Sequence, residues 1–332
     1  MAFGIALVGL HHWYTAFGVV DNVNAAENAS LIGLAELRPE RLAQAQERFK
    51  DHTVTGNADE LIHDPAVNLV ALCCSTAQAP ELATRALRAG KHVLSVKPPA
   101  RTLAEMEAPL LAAKETGNFY GSFECLQRLS PRAQILRELI QSGVIGTPMA
   151  YYQIGHGGLP SSWPGETGPS WWTDAAQVPG GAWIDHSIYS VDLARFVFGG
   201  EIVSANGIIE NRVTPGLALE DYGISLMRLK PDNGSPSVSL IFEDTWSAKP
   251  GFGVHRNEII GTEGRITGEG NEWVVSKPGN DVSRHVIPDG PFFNVGPFVT
   301  ALETGTSLPF GSSDARANLA ACLEVYNSTT HH

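Results

Sequence analysis

Short apolar runs alternate with stretches of helical period along the first third of the chain. Residues 3–8, 31–35, 68–74 and 92–96 are nearly continuous apolar runs, the pattern of strands covered on both faces. Shorter strands are expected at 53–55 and 118–123. Helices are expected between them at 14–24, 40–49, 58–62, 80–89 and 103–116. Pro39 provides a first-turn entry to the second of these, and Gly90 a C-terminal stop to the fourth. Strands and helices in this order predict a doubly wound parallel sheet. After residue 123 the pattern changes. A linker and amphipathic helix at 124–143 lead to strands at 149–154, 202–209, 222–229, 238–246 and 257–261. Alternation in Ser237-Val238-Ser239-Leu240-Ile241-Phe242 predicts an antiparallel sheet with one covered face. The expected organisation is α/β: a nucleotide-type domain over 1–123, then an α+β domain over 124–330 with an open, mostly antiparallel sheet.

Inside the second domain, Gly180-Gly181 feeds a helical stretch through Phe196. Asp185, Tyr189 and Asp192 recur at i, i+4 and i+7 and share one face, beside an apolar stripe of Ile184, Ile188 and Val191. Two carboxylates and a phenol in that place predict an acid/base row offered to a cleft; satisfied polar groups on a half-buried helix are the other reading.

Composition narrows the partners. Hydrophobic residues at 43% and charged residues at 17% of 332 positions suffice for two packed cores. A net charge of −12 argues against nucleic acid and anionic membrane, which require clustered Lys and Arg. Cys73, Cys74, Cys125 and Cys322 have the spacing of neither a disulfide framework nor a zinc site, and fit buried hydrophobes in a reducing compartment. The start of the chain shows no signal-peptide pattern, and no apolar run reaches membrane-spanning length. A cytoplasmic protein is the expectation. His156, His186 and His255 follow no metal-ligand spacing, so no metal is expected.

In a doubly wound sheet, ligands bind at the carboxyl ends of the strands. Gly9, Glu36, Ser75-Thr76 and Lys97 all fall there. The first turn reads Gly9-Leu10-His11-His12-Trp13-Tyr14. It keeps the first glycine of the G-x-G-x-x-G dinucleotide fingerprint, with His11 and Tyr14 at the other two glycine positions. The helix that follows still offers backbone N–H groups to an anion. A carboxylate at Glu36 can accept both ribose hydroxyls and repel a 2′-phosphate, which favours NAD; Arg38 beside it leaves NADP open.

Ala89-Gly90-Lys91-His92-Val93-Leu94-Ser95-Val96-Lys97-Pro98-Pro99-Ala100 resembles the A-G-K-H-V-L-x-E-K-P-x-A signature of the Gfo/Idh/MocA oxidoreductases. Residues 180–199 resemble that family's second signature, G-G-x-x-x-D-x-G-x-H/Y-x-x-D. Asp64-Pro65-Ala66-Val67, the Glu258–Gly264 stretch and residues 298–328 match as well, so the likeness spans nearly the whole chain. The resemblance implies a Rossmann domain and an NAD(P)-dependent oxidoreductase acting on a sugar, sugar acid or cyclitol. By position it implies that Lys97, Asp185 and Tyr189 are catalytic, that Glu36 binds ribose, and that Arg128 with Pro131 opens the helix after the linker. It also implies pairing of the open sheet face into a homodimer or homotetramer. Three positions depart: the glutamate before the lysine is Val96, a signature glycine is Ser187, and the glycine-rich turn is reduced.

Oxidising a carbinol removes a hydride from carbon and a proton from oxygen. Lys97 suits stabilisation of the developing alkoxide, Tyr189 suits the proton acceptor with His186 ranked second, and Asp185 suits the hold on the hydroxyl. Gly9, His11, His12, Glu36, Arg38, Ser75, Thr76 and Lys97 are the expected cofactor contacts. Arg128, His156, Trp163, Trp172 and Asp185 are the expected substrate contacts, the indoles as a wall for sugar rings. Two other functions fit the same sequence: a non-catalytic sugar- or nucleotide-sensing protein, and a glycosidase that recycles NAD.

Overall fold

A computed structural model describes residues 2–290 and 294–329. The chain forms two compact units, one of Met1–Leu126, Ala176–Pro179 and Pro291–Arg316, the other of Gln127–Ala175, Gly180–Gly290 and Ala317–His332. The first unit therefore takes in two later segments as well as the amino-terminal stretch.

The first unit runs β1 (Phe3–Val8), α1 (Trp13–Ala25), β2 (Ala29–Ala35), α2 (Pro39–Arg48), β3 (Val54–Thr55), α3 (Ala58–Ile62), β4 (Leu69–Leu72), α4 (Ala79–Arg88), β5 (His92–Ser95), α5 (Leu103–Thr116) and β6 (Tyr120–Ser122). The strands form a parallel sheet in the order β3-β2-β1-β4-β5-β6. This is the predicted doubly wound sheet. β1 and β4 are buried at every position, which is why their sequences are continuous apolar runs rather than alternating ones. Thr102 caps α5, its side chain accepting from the Glu105 N–H at 3.2 Å, and Gly117 ends the helix in a left-handed conformation.

The second unit begins in a 3₁₀ turn over Phe123–Leu129, whose last residues belong to it. It continues with α6 (Pro131–Gln141), β7 (Pro148–His156), α7 (Ala182–Phe198), β8 (Gly200–Glu210), β9 (Tyr222–Pro231), β10 (Val238–Thr245), β11 (Val254–Gly261), β12 (Arg265–Glu269), β13 (Glu272–Lys277) and β14 (Asp281–Val286). α8 (Val295–Thr304) returns to the first unit, and α9 (Ser312–Ser328) supplies residues to both. The second sheet has the order β14-β13-β12-β11-β7-β10-β9-β8. It is antiparallel except for the β7–β10 pair. The mostly antiparallel sheet was expected; strands β12–β14 were not. β14 is exposed at nearly every position, so it has no apolar face to announce it.

α7 packs on β9 and β10. It differs from the expected amphipathic helix: nearly every residue is buried, and Asp185, Ser187, Asp192 and Arg195 are buried with the apolar ones. A helix buried on most sides must satisfy its polar groups internally.

Candidate active site

The first strand-to-helix turn is built around Gly9. Its φ is +82°, and a Cβ there would lie 2.5 Å from the Cys74 Cα, so only glycine fits between the ends of β1 and β4. The N–H of Gly9 donates to Ala35 O, and that of His12 to Cys73 O, fixing the turn to both neighbouring strands. His11 and His12 are buried. Burial, with Arg38 adding to it, lowers the His11 pKa to about 3, so its ring is neutral at physiological pH. His12 Nδ1 lies 3.2 Å from Thr15 Oγ1. α1 begins with no side-chain cap and no acidic residue in its first turn, leaving its positive end to an anion.

Glu36, at the end of β2, is buried and held by Arg38. The Arg38 backbone N–H and Nε donate to Oε1 at 2.9 and 3.0 Å, and Nη2 donates to Oε2 at 2.9 Å. Nη2 also donates to Leu10 O at 3.1 Å. The guanidinium is thus committed to the carboxylate and to the first turn. Oε2 accepts one of these bonds, and an ionised carboxylate oxygen can accept more than one, so a ribose hydroxyl can still donate to it. After β4, Ser75 Oγ donates to Gln78 Oε1 at 3.2 Å. Thr76 Oγ1 is buried with no hydrogen-bond partner among the described residues. An orphaned buried hydroxyl at a strand's carboxyl end is what a ligand contact leaves behind when the ligand is removed. Gly9, the start of α1, Glu36 and Thr76 together fit a dinucleotide.

Lys97 follows β5, is 4% exposed, and precedes a cis proline peptide. The position before it is Val96, buried and apolar. One strand over, β5 and β6 end in register at Ser95 and Ser122. Two residues beyond each lie Lys97 and Glu124, and Glu124 is fully buried, accepting from the Ser122 hydroxyl. Ser122 Oγ also lies 3.4 Å from Val96 O. A carboxylate is therefore built in at the next strand's end although the signature position lacks one. The register across two strands, invisible to a local motif, is the signal that reveals it.

In the second unit, Asp185 closes the first turn of α7 and His186 follows it. Trp246 Nε1 donates to Asp185 Oδ2 at 3.1 Å. His186 Nε2 lies 3.7 Å from the same oxygen, and its Nδ1 lies 4.0 Å from Asp244 Oδ1. The His186 side chain is 48% exposed. Tyr189 is half-buried one turn on. Glu220 anchors the start of the helix: Oε1 accepts from the N–H groups of Gly181 and Trp183 at 2.8 and 3.2 Å, and from the Tyr326 hydroxyl at 2.6 Å. Burial raises the Glu220 pKa. The sequence offered no sign of Glu220 or Trp246, because both act across folds of the chain.

Three expected substrate contacts are differently engaged. Arg128 is buried: Nε and Nη2 meet Asp192 Oδ1 at 2.9 and 2.7 Å. Gln127 Nε2 and Asn318 Nδ2 donate to the same carboxylate. The Asp192 carboxylate is thereby engaged by side chains of its own unit, and the Arg128 guanidinium is held against it. Trp172 is 0% exposed and Trp163 9%, so neither indole offers a face to a sugar. Trp171, half-buried and edge-on to Trp172, instead lines a cavity of about 740 Å³ with Leu159, Asp174 and Leu217. His156 pairs with Glu243, Nε2 to Oε1 at 3.2 Å, and borders a smaller cavity of about 390 Å³ with Thr245 and Lys249. The four cysteines are buried, and burial pushes the Cys74 thiol up to about 12, which leaves it unreactive.

A doubly wound sheet with these groups at its strand ends is the arrangement of a dinucleotide-binding domain. Two family models match the chain: the oxidoreductase family with NAD-binding Rossmann fold over residues 3–123, and the GFO/IDH/MocA C-terminal domain over 133–267. The chain belongs to the Gfo/Idh/MocA oxidoreductase family, and its cofactor is NAD. It is similar to a myo-inositol 2-dehydrogenase of Thermotoga maritima, 26% identical over 79% of this chain and 72% of the relative. It is similar also to a 1,5-anhydro-D-fructose reductase of Ensifer adhaerens, 28% identical over 73% and 69%. Among solved structures, an aldose-aldose oxidoreductase from Caulobacter crescentus complexed with glycerol superposes with a TM-score of 0.80, at 21% identity over 99% and 97% of the two chains. A levoglucosan dehydrogenase in complex with NADH and L-sorbose superposes at 0.79, with 21% identity over 99% and 98%. Among the described residues no helix is long and apolar enough to cross a membrane.

Proposed function

We propose that the protein oxidises or reduces one CH–OH/C=O centre of a sugar, sugar acid or cyclitol. The observation that carries this reading is the buried lysine after β5, Lys97, in a chain whose matched relatives include dehydrogenases of inositol and of levoglucosan. When bound, NAD would supply the hydride acceptor or donor. Gly9, the start of α1 and Thr76 would hold its phosphate and nearby groups, and Glu36 would take the adenosine ribose. The Lys97 ammonium stabilises negative charge as it develops on the substrate oxygen. Tyr189, reacting as its phenolate, would receive the proton from that oxygen, with the neutral imidazole of His186 as the competing acceptor. Asp185, its carboxylate aimed by Trp246 Nε1, accepts from a substrate hydroxyl. His156 and Trp171 contribute to the sugar contacts. A panel of pentoses, hexoses, uronates and inositols, read at the NADH absorbance band, tests the reading; no turnover with any member counts against it.

The Glu36–Arg38 fork favours NAD over NADP, since a 2′-phosphate would meet a carboxylate already holding the nearest guanidinium. Glu36→Ser frees Arg38 for a phosphate. The expected result is a rise of about 10- to 100-fold in the ratio of kcat/KM for NADP to that for NAD, the scale of one charge-assisted pair. An unchanged ratio would remove Glu36 from cofactor selection.

The sheet face away from α7 carries Leu226, Ile241 and Tyr152 as register neighbours on three successive strands. Ile208 pairs with Ile224 nearby, and Leu226 and Ile208 are exposed. A contiguous apolar patch on an otherwise acidic protein suits a second copy of the same face. Leu226→Arg is expected to shift the particle mass, measured by light scattering after gel filtration, from an oligomer to a monomer. A monomeric wild type would refute the pairing.

A further inference from the structure

Behind the first turn of α7 lies an acid that no signature of the family resemblance includes. Asp244, on β10, is fully buried. The hydroxyl of Ser187 donates to its Oδ2. Ser187 stands where the second signature has glycine, so the departure in sequence and the buried acid are one feature. Room for that acid is made by Gly155 on β7, where a Cβ would lie 2.0 Å from Asp244 Oδ1. Gln153, two residues earlier on β7 and also buried, faces the same oxygen with Nε2 at 3.4 Å. Its own Oε1 is buried with no hydrogen-bond partner among the described residues.

As placed, both groups donate to Asp244, yet it is fully buried, no Lys or Arg pairs with it among the described residues, and Asp185 and Glu243 lie near, a setting that favours the neutral acid. Turning the Gln153 amide over, an assignment that the hydrogen-bond network alone decides, points Oε1 at Asp244. That oxygen then accepts the acid's proton, while Asp244's other oxygen accepts from Ser187. Nε2 then takes the place in which Oε1 has no partner. The charged and titratable neighbours are Asp185 and His186 on α7, Glu243 on β10, paired with His156 of β7, and the Tyr151 phenol of β7. Burial raises the Asp244 pKa well above the carboxylate range; the Ser187 and Gln153 hydrogen bonds oppose the rise, and Asp185 and Glu243 add to it.

We propose that Asp244 is a proton-holding positioning residue. As a neutral acid latched to Ser187 and Gln153, it fixes the α7 turn that presents Asp185 and His186. It touches neither substrate nor cofactor in this role. The inference rests on the reading that this turn takes part in the reaction, yet it makes a prediction that needs no turnover.

Asparagine mimics a protonated aspartate, so Asp244→Asn and Asp244→Ala separate the roles. An acid whose folded pKa is raised stabilises the fold fully only below its unfolded pKa, and that stability is lost as pH rises toward the folded value. The melting temperature of Asp244→Asn relative to wild type is therefore expected to climb from pH 5 to pH 8. Asp244→Asn is expected to keep kcat within about threefold of wild type, whereas Asp244→Ala, which loosens the turn, lowers kcat by about 10- to 100-fold with KM for NAD unchanged. Ser187→Ala, a milder change should Asp244→Ala not fold, lowers kcat in the same direction. A melting difference independent of pH, or a loss of kcat in Asp244→Asn equal to that in Asp244→Ala, would overturn the proposal. Wild-type turnover in Asp185→Asn and in His186→Asn would instead sink the catalytic reading of the turn, and would leave the melting result standing.

Discussion

Lys97→Ala is expected to lower kcat by about 10²- to 10³-fold, the scale of one preorganised charge aimed at a developing oxyanion. KM for NAD, and NAD affinity followed by tryptophan fluorescence, stay near wild type. The reasoning separates two parts of the first unit. The phosphates and ribose belong to Gly9, the start of α1, Glu36 and Thr76, none of which the substitution touches. Lys97 sits after β5, where the buried side chain brings a full positive charge to a position 4% exposed. Charge in such a place acts with little screening by water. Lys97→Arg does not restore the rate, because a planar guanidinium neither fits the space of an ammonium nor presents its charge at the same point. Steady-state rates at the NADH band and a fluorescence titration, with Trp13 beside the first turn as reporter, check both halves. Wild-type turnover in Lys97→Ala would remove the lysine from the chemistry.

The first unit was legible in sequence because both faces of its sheet are covered. β1 and β4 leave uninterrupted apolar runs, and the glycines and prolines between the elements mark the turns. The structure moves the predicted ends by one or two residues, where helices and strands fray. The groups at the strand ends were legible for the same reason, since the topology of a doubly wound sheet fixes which ends face a ligand. The second unit was legible only where one face is buried. β14 carries exposed positions along nearly its whole length, and such a strand leaves no buried face to read.

The partners of the helix residues were not legible at all. Ser187 meets Asp244 across 57 residues, Asp185 meets Trp246 across 61, and Arg128 meets Asp192 across 64. No local pattern encodes contacts of that range. The tryptophans show the opposite error. Trp163 and Trp172 were assigned to a sugar wall from chemistry that suits an exposed indole, but a large apolar ring gains more by burial, and both are in the interior. Trp171, in the same aromatic loop, keeps a partly open face.

Asp192→Ala is expected to destabilise the fold by about 3–5 kcal/mol, the cost of leaving one partner of a buried ion pair uncompensated. Arg128 would keep a full charge at a buried position, its guanidinium 2.7–2.9 Å from the site of the deleted carboxylate. The side-chain amides of Gln127 and Asn318 would lose an acceptor at the same time. Removing both charges is a different change. Arg128→Met with Asp192→Leu replaces the pair by apolar groups of similar bulk, and most of the lost stability is expected to return. Urea unfolding followed by tryptophan fluorescence gives both values. The cycle also decides what Arg128 is for. A residue that holds α7 to the segment before α6 lets the double variant keep the wild-type KM for substrate. A residue that grips a substrate oxygen raises that KM whether or not stability recovers. The short contacts to Asp192 and the 5% exposure of Arg128 favour the first outcome, and a raised KM in the stable double variant would reverse it.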